Sequence, residues 1–308
     1  MYSIVRWRPV LKFLQFTKRI IIPGFDGLPL YTVASFFFKG IFKGSLTSRA
    51  SSIAFSFFMA VFPMIIVFFT IIPFIPIDNF QEILLNLIEN FTPDTAEAVI
   101  RSTVIDIVQR PRGGLLSLTF ILALVFATNG FDSIIDGFNK TYHTIETRTW
   151  IKQKLTSTLL FLITSFIIVV SITLITTGTV VLKFLVEQHI LTSWITFYLL
   201  IIVKWIILIA MFFFTISFVY YLGPAKASKF RFISAGSSLA TILSVAASVG
   251  FNFYVQNFSK YNALYGSIGT LLIILVWIYF NAIIILIGFE LNASIQQASL
   301  KKKMRLGV

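Results

Sequence analysis

The chain has 308 residues, of which 57% are hydrophobic and only 12% are charged, and its mean hydropathy is +0.91. Soluble domains carry about 25% charged residues, so this composition excludes a soluble globular enzyme and predicts a membrane protein. The chain has no cysteine and a net charge of +13. Without cysteine, a disulfide framework, a thiolate zinc site and an iron–sulfur cluster are excluded.

The first 50 residues form a basic region that precedes the apolar part of the chain. Two stretches, at 10–22 and 31–44, place apolar and basic residues at helical spacing. We expect two cytoplasmic helices that lie on the membrane surface; the alternative is that they pack on the membrane bundle itself. Arg6, Arg8 and Lys12 interrupt this region, so we do not expect a secretory signal.

Six apolar segments are each long enough to cross a bilayer. A transmembrane helix needs about 20 mostly apolar residues to span a hydrocarbon core about 30 Å thick. The segments do not alternate apolar and polar residues at every second position, which excludes the strands of a membrane barrel. The predicted class is therefore all-α, a polytopic membrane protein. One membrane domain at 51–292 holds predicted spans at about 51–76, 114–135, 155–182, 194–222, 232–255 and 264–291.

The segment between the first two spans, at 77–112, has its own helical pattern. Apolar residues recur at helical spacing from Phe80 to Phe91. Thr92, Pro93 and Asp94 then have the pattern of a helix start, with proline at the first helical position. We therefore expect an exterior amphipathic helical hairpin between spans one and two.

The distribution of basic residues predicts the orientation of the chain. The N-terminal region holds eight Lys and Arg, the segment after span two four, the segment after span four three, and a basic tail at 293–308 four. The segments on the other side hold five. Because cytoplasmic loops carry the excess of Lys and Arg, both termini should be cytoplasmic. Topology accounts for the net charge, so no nucleic acid partner is expected.

Three stretches of the sequence resemble one bacterial family. They are SSIAFSFFMAVFPMIIV in the first span, NGFDSIIDGFNKTYHTIETRTWIKQKL after the second, and YNALYGSIGTLLIILVWIYFNAIIILIGFELNA in the last. These are similar to the YihY/BrkB family of inner-membrane proteins, which has an older ribonuclease BN-like label. The resemblance covers about residues 35–300 and departs at Phe289, where the family more often has a small residue. It implies a six-span protein of the bacterial plasma (inner) membrane, with export or lipid-related transport as proposed activities.

A polar stripe lies at the end of the second span. Asn129, Asp132, Asp136 and Asn139 are spaced so that they share one helix face. Ionisable residues inside a bilayer cost energy and mark candidate functional sites. One interpretation is that the stripe faces an inner cavity, where Asp132 binds a proton or a cation. The other is that the span ends near Asp132 and the stripe is solvated at the cytoplasmic surface.

Lys204 is the second candidate for this polar cavity. If Trp194 marks the outer interface, Lys204 lies about 15 Å deeper, near mid-membrane, where it could bind an anion or pair with an acid. Residues 205–222 alone are also long enough to span. In that case Lys204 is an interfacial anchor whose ammonium reaches the headgroups.

Glu290 lies at the end of the last span and is predicted to be structural. It is about 39 Å from Leu264 along a straight helix, which exceeds the hydrocarbon thickness. We expect Glu290 and Asn292 at the cytoplasmic interface, where Glu290 pairs with a basic residue such as Arg49.

Small residues and helix breakers predict close packing and kinks. A ridge of small residues repeats every four positions in span one, which lets helices approach closely. Proline and glycine within spans predict interrupted helices, which often border transport cavities. The residues concerned are Ser48, Ser52, Ser56 and Ala60 in the ridge, Pro63 in the first span, and Gly266 and Gly269 in the last.

The sequence contains no recognisable catalytic motif. A nuclease needs clustered carboxylates or histidines for metal ions, or a general acid–base pair, and the acidic residues here show no metal-binding spacing. Walker A, Gly-x-Ser-x-Gly and His-Glu-x-x-His patterns are missing. We therefore predict no catalytic residue, no cofactor and no metal site.

The expected function is transport or export of a solute or lipid. The alternatives are a non-transporting, virulence-associated envelope scaffold and a membrane-bound ribonuclease. The expected partners are the lipid bilayer and a small-molecule or lipid substrate, and the sequence leaves a homo-oligomer open.

Overall fold

The computed structural model describes residues 15–71, 113–141, 144–145, 148–188, 194–225, 231–257 and 259–306. Two short strands, β1 (Lys140–Thr141) and β2 (Thr144–Ile145), pair antiparallel with Lys140 opposite Ile145. The helices are α1 (Leu30–Lys43), α2 (Leu46–Ile71), α3 (Gly113–Asn139), α4 (Trp150–Glu187), α5 (Trp194–Leu222), α6 (Ala235–Asn257) and α7 (Ser259–Leu306).

Six helices in the described part of the chain are long and apolar enough to cross a membrane. Their apolar windows are Leu46–Val67, Gly113–Asn139, Trp150–Gly178, Leu200–Leu222, Ala235–Tyr254 and Leu271–Met304. The predicted all-α class with six membrane-crossing helices is confirmed. The basic stretch at 31–44 forms α1. The predicted hairpin at 77–112 and the start of the other basic stretch, at 10–14, lie outside the described residues.

The chain divides into two compact units, Phe55–Gly130 and a larger one made of Met1–Ala54 and Phe131–Val308. In the smaller unit, the Phe57 ring lies against Gly130, where a Cβ would come within 3.0 Å of the ring. Pro63 is buried within α2, and the helix continues through it to Ile71. The proline therefore does not end this helix.

In the larger unit, one end of each spanning helix contacts a neighbouring segment. We name this end, which holds Arg49, Asn139, Arg148, Ser234 and Asn292, the basic end. Asn139, the last residue of α3, accepts a hydrogen bond from the Ala225 amide beyond α5 at 3.0 Å. Asn292 of α7 donates to Ser234, just before α6, at 2.9 Å. The starts of α2 and α4 join the same end through Arg49 and Arg148, whose contacts are described below. The basic loops predicted to share one side of the membrane are thus neighbours.

Three aromatic side chains form the core beneath the basic end. Phe138 stacks on Phe289 with ring centroids 4.0 Å apart, and Tyr220 packs edge-on against both rings. The Tyr220 hydroxyl donates to the Ile285 carbonyl at 2.6 Å, so its polar group is satisfied inside the core. This contact holds α3, α5 and α7 together.

Helices α6 and α7 cross at two glycines. A Cβ at Gly288 would lie 2.6 Å from the Gly236 carbonyl oxygen and 2.8 Å from the Ala240 Cβ. No side chain fits there, so the two backbones touch directly, as small residues allow in membrane helices.

Helix α7 differs from the predicted last span. The prediction ends the span at 291 and places a separate basic tail at 293–308, but α7 runs unbroken for 48 residues to Leu306. Ile295 and Ala298 pack into a hydrophobic cluster with Val33 of α1, which explains why the helix persists. Gly266 and Gly269 lie inside this continuous helix, so the predicted interruption is not seen.

Candidate functional site

A buried ion pair joins α2 and α7 at the basic end. Arg49 Nη2 lies 3.4 Å from Glu290 Oε2, and the two side chains are 7% and 0% exposed. The Thr141 hydroxyl of β1 donates to the same carboxylate oxygen at 2.8 Å. Arg49 Nη1 donates to the Gly137 carbonyl of α3 at 2.8 Å. We name these four residues the Glu290 cluster; it ties α2, the end of α3, β1 and α7 to one another.

The backbone of α1 closes the Glu290 cluster. A Cβ at Gly40 would overlap Glu290 Oε1 and lie 2.6 Å from its Cδ, so only glycine fits beside the carboxylate. The sequence predicts Glu290 at the cytoplasmic interface, paired with a basic residue such as Arg49, and the two side chains do pair. In the structure its side chain is enclosed by protein on every side, because α1 covers it. This enclosure makes the cluster a structural joint.

Asn292 does not take part in the Glu290 cluster; it binds residues at the start of α6. Its Oδ1 accepts from the Gly236 amide at 2.8 Å, and its Nδ2 donates to the Ser234 hydroxyl. Asn292 therefore caps the start of α6, where backbone amides lack partners within the helix.

A second polar group, which we name the α3–α4 seam, consists of Asp132, Asp136, Gln153, Lys154 and Ser157. Lys154 Nζ lies 2.5 Å from Asp132 Oδ2, and Ser157 donates to the other Asp132 oxygen. Asp136 accepts from Gln153 at 2.8 Å. The two aspartates of the predicted polar stripe thus face α4, and each has a partner there.

The α3–α4 seam is only partly shielded from its surroundings. The Lys154 and Asp132 side chains are 33% and 21% exposed. Both residues lie inside the apolar windows of their helices, Trp150–Gly178 and Gly113–Asn139. The two groups attract each other as opposite charges, so a change in the charge of either one would remove that attraction. The two asparagines of the stripe are set apart from this pair: Asn129 is half-buried one turn earlier, and Asn139 binds the Ala225 amide.

Lys204 does not join Asp132 in one cavity. Its side chain lies beside Gly178 of α4, where a Cβ would be 3.8 Å from the Lys204 Cδ. Asp132 contacts α4 at Ser157, and the two contacts are about 31 Å apart along that helix. The shared cavity predicted from the sequence is therefore not formed by these two residues.

At the basic end, the small-residue ridge predicted on α2 is not the face of the helix that is buried against other elements. Ser48 and Ser52 are exposed and Ser56 is half-buried, whereas Ala60 is buried. The buried residues in the first turns are Arg49, Ala50, Ile53 and Ala54. The packed face of α2 is therefore offset by one residue from the predicted ridge. It contains Arg49, which faces Glu290.

Arg148 carries a role that the sequence analysis missed. Its guanidinium donates to the backbone carbonyls of Leu222, Gly223 and Pro224, at 3.0, 3.2 and 2.5 Å, and to the Thr156 hydroxyl at 3.1 Å. These carbonyls lie at the end of α5 and just beyond it, where the helix dipole favours a cation. Partial burial lowers the pKa of Arg148 below its ordinary value, and an arginine remains protonated nonetheless.

Among the described residues, the acidic side chains do not gather as they would in a metal centre. Within the described ranges, no three His, Asp or Glu side chains come together in a way that could hold a metal ion. Three acidic groups of the larger unit, Glu290, Asp132 and Asp26, instead bind Arg or Lys side chains.

Comparison with known proteins identifies similar membrane proteins. The model of the family described as Virulence factor BrkB matches residues 37–306. The ribonuclease-like protein YfkH of Bacillus subtilis is 30% identical over 80% of this chain and 88% of its own length. A UPF0761 membrane protein of Haemophilus influenzae is 25% identical over 85% of this chain and 94% of its own length. A UPF0761 membrane protein of Tolumonas auensis is 22% identical over 88% of this chain and 88% of its own length. No solved structure matches.

Proposed function

We propose that this chain, which belongs to the Virulence factor BrkB family of membrane proteins, is a transporter that moves a small solute or a lipid across the bacterial inner membrane. The observation that supports it is the Asp132–Lys154 pair inside the apolar windows of α3 and α4. The pair lies at the basic end of the two helices, since Lys154 is four residues after the start of α4 and Asp132 is seven residues before the end of α3. A partly exposed ion pair between two spanning helices can change the contact between them when its charge changes, and this favours a function for the pair beyond packing.

The proposed working step is protonation of Asp132. The proton neutralises the carboxylate, so the attraction to Lys154 is lost and the contact between α3 and α4 is weakened. Ser157 keeps a hydrogen bond to Asp132 in either protonation state, because a hydroxyl both donates and accepts. The sequence carries no Walker A motif, so a proton gradient, rather than ATP bound by this chain, is the energy source proposed.

The proposed orientation follows from the basic end. Lys and Arg accumulate on the cytoplasmic side of membrane proteins. We place both termini and the 140–154 segment in the cytoplasm, with 77–112 outside.

The test is complementation of a deletion strain by variants of the α3–α4 seam. Asp132→Asn and Lys154→Gln should insert, melt within a few degrees of wild type in detergent, and fail to restore the deletion phenotype. The matched control is Lys152→Gln, which removes an exposed cation two residues from Lys154. Mass spectrometry of cells and medium should then find a compound retained in the deletion and Asp132→Asn strains but not in the Lys152→Gln strain.

A non-transporting scaffold predicts different results. A scaffold would lose function only in proportion to lost stability, so full complementation by both seam variants would replace the transporter by the scaffold. The absence of any compound retained in both the deletion and Asp132→Asn strains would have the same consequence.

A further inference from the structure

A polar cavity opens at the basic end between the loop at 23–27, the start of α6 and the last turns of α7. Its volume is about 420 Å³, within the range of about 300–1,000 Å³ typical of ligand sites. Its charged lining residues are Asp26, Arg231 and Lys303. Arg231 and Asp26 lie 2.9 Å apart, so the lining has one net positive charge. We name this space the Arg231 cavity.

The positive charge of the Arg231 cavity comes from side chains. The amides of Gly236 and Ser237 at the start of α6 already donate to Asn292 and Ser234. The Arg231 side chain is 70% exposed, and Lys303 is exposed as well, so both cations can turn toward a ligand. An arginine fork and a lysine ammonium together suit the oxygens of a phosphate group.

The surroundings of the Arg231 cavity match the headgroup layer of a membrane. The apolar window of α6 begins at Ala235, which lines the cavity. Ile233, another lining residue, is 67% exposed, and Leu300 is 37% exposed. In water these isoleucine and leucine surfaces would be unfavourable, whereas the glycerol and first methylenes of a lipid would cover them.

We infer that the Arg231 cavity binds the phosphate of a membrane phospholipid, with Arg231 and Lys303 on the phosphate oxygens and Ile233 against the glycerol end of the acyl chains. Basic pockets between spanning helices are suited to lipid headgroups. The occupied cavity would join the loop at 23–27 to α6 and α7 through the lipid. This inference does not depend on which compound the protein moves. Its failure and the failure of the proposed transport can therefore be told apart.

The experiment measures lipid binding to the full chain in detergent by native mass spectrometry and by the lipid-induced rise in melting temperature. The probes are palmitoyl-oleoyl phosphatidylglycerol, the matching diacylglycerol without phosphate, and glycerol 3-phosphate. One phosphatidylglycerol should bind at low mole fraction, and the other two probes should not at the same concentration. The double variant Arg231→Gln/Lys303→Gln should weaken this binding about tenfold or more. The control Lys302→Gln removes an exposed neighbour that does not line the cavity and should bind like wild type.

A second variant separates lipid binding from a structural role of the Arg231–Asp26 pair. Asp26 has a backbone φ of +52°, which asparagine also tolerates. Asp26→Asn removes the negative charge and should tighten phosphatidylglycerol binding, whereas Arg231→Gln should weaken it. Equal weakening by both variants would show that the pair only holds the loop. Equal binding of diacylglycerol or glycerol 3-phosphate, or equal loss in Lys302→Gln, would also overturn the inference.

Discussion

Replacement of Glu290 by glutamine should destabilise the protein strongly, although the side chain keeps its shape. In the Glu290 cluster the carboxylate is fully buried, and its Oε2 lies 3.4 Å from the Arg49 guanidinium. At an effective dielectric constant of about 20, two unit charges at that distance attract by about 5 kcal/mol. Loss of the carboxylate charge leaves Arg49 buried, with the Gly137 carbonyl as a remaining acceptor. Breaking one side of a buried pair costs about 3–5 kcal/mol, and we expect Glu290→Gln to fall in that range.

The measurement is the free energy of unfolding in mixed detergent, followed by far-UV circular dichroism. Arg49→Met alone should cost a similar amount, because it strands the carboxylate. The double variant Arg49→Met/Glu290→Gln should cost much less than the sum, because no buried charge is left unpaired. Thr141→Val is the matched control: it removes only the 2.8 Å hydrogen bond to Glu290 and should cost about 1–3 kcal/mol. Additive costs in the double variant, or a Glu290→Gln cost below about 1 kcal/mol, would refute the pairing.

Three further predictions concern the loops and the orientation. Arg148→Ala should lower the free energy of unfolding by about 1.5–3 kcal/mol, because charged hydrogen bonds to the end of α5 are lost. Arg148→Lys should keep only part of this stability, because lysine lacks the guanidinium fork. Full stability in Arg148→Lys would contradict the geometry. The native chain has no cysteine, so a single cysteine at Asn90 should react with an impermeant thiol reagent in intact cells while one at Lys302 does not; the reverse pattern would invert the orientation. The purified protein should cleave RNA no faster than a mock preparation, and activity that persists through two affinity tags and disappears in Asp136→Ala/His143→Ala would contradict this.

The number and type of the membrane helices could be predicted from the sequence because hydropathy acts locally. A run of about 20 apolar residues has one stable state in a bilayer, in which its own backbone satisfies every hydrogen bond. The end of α7 could not be placed in the same way. Beyond Leu291 the chain is polar, and it stays helical because Ile295 and Ala298 bury against α1. That contact joins residues about 260 positions apart in the sequence and has no local signal.

The residues of the candidate site are also only partly predictable from the sequence. A buried acid near the end of the last span needs a cation, so Arg49 is a reasonable partner on charge alone, and the structure brings the two together. Thr141 belongs to that cluster and Gly40 packs beside it, yet each is an ordinary residue in its own segment. For Asp132, helical spacing identifies the face but not the neighbour. That face meets Lys154, 22 residues away on the next helix, and not Lys204.

The length of α7 also has a mechanical consequence. The helix has 48 residues, about 72 Å at 1.5 Å per residue, and Glu290 holds it to α2 and β1 about two thirds of the way along. About 24 Å of helix lies on the Leu306 side of that joint and about 46 Å on the Ser259 side. If α7 rotated as a rigid rod about that joint, a 1 Å sideways shift of the Leu306 end would move the Ser259 end by about 2 Å in the opposite direction. Such a rotation would reverse a small displacement at the basic end and about double it at the Ser259 end.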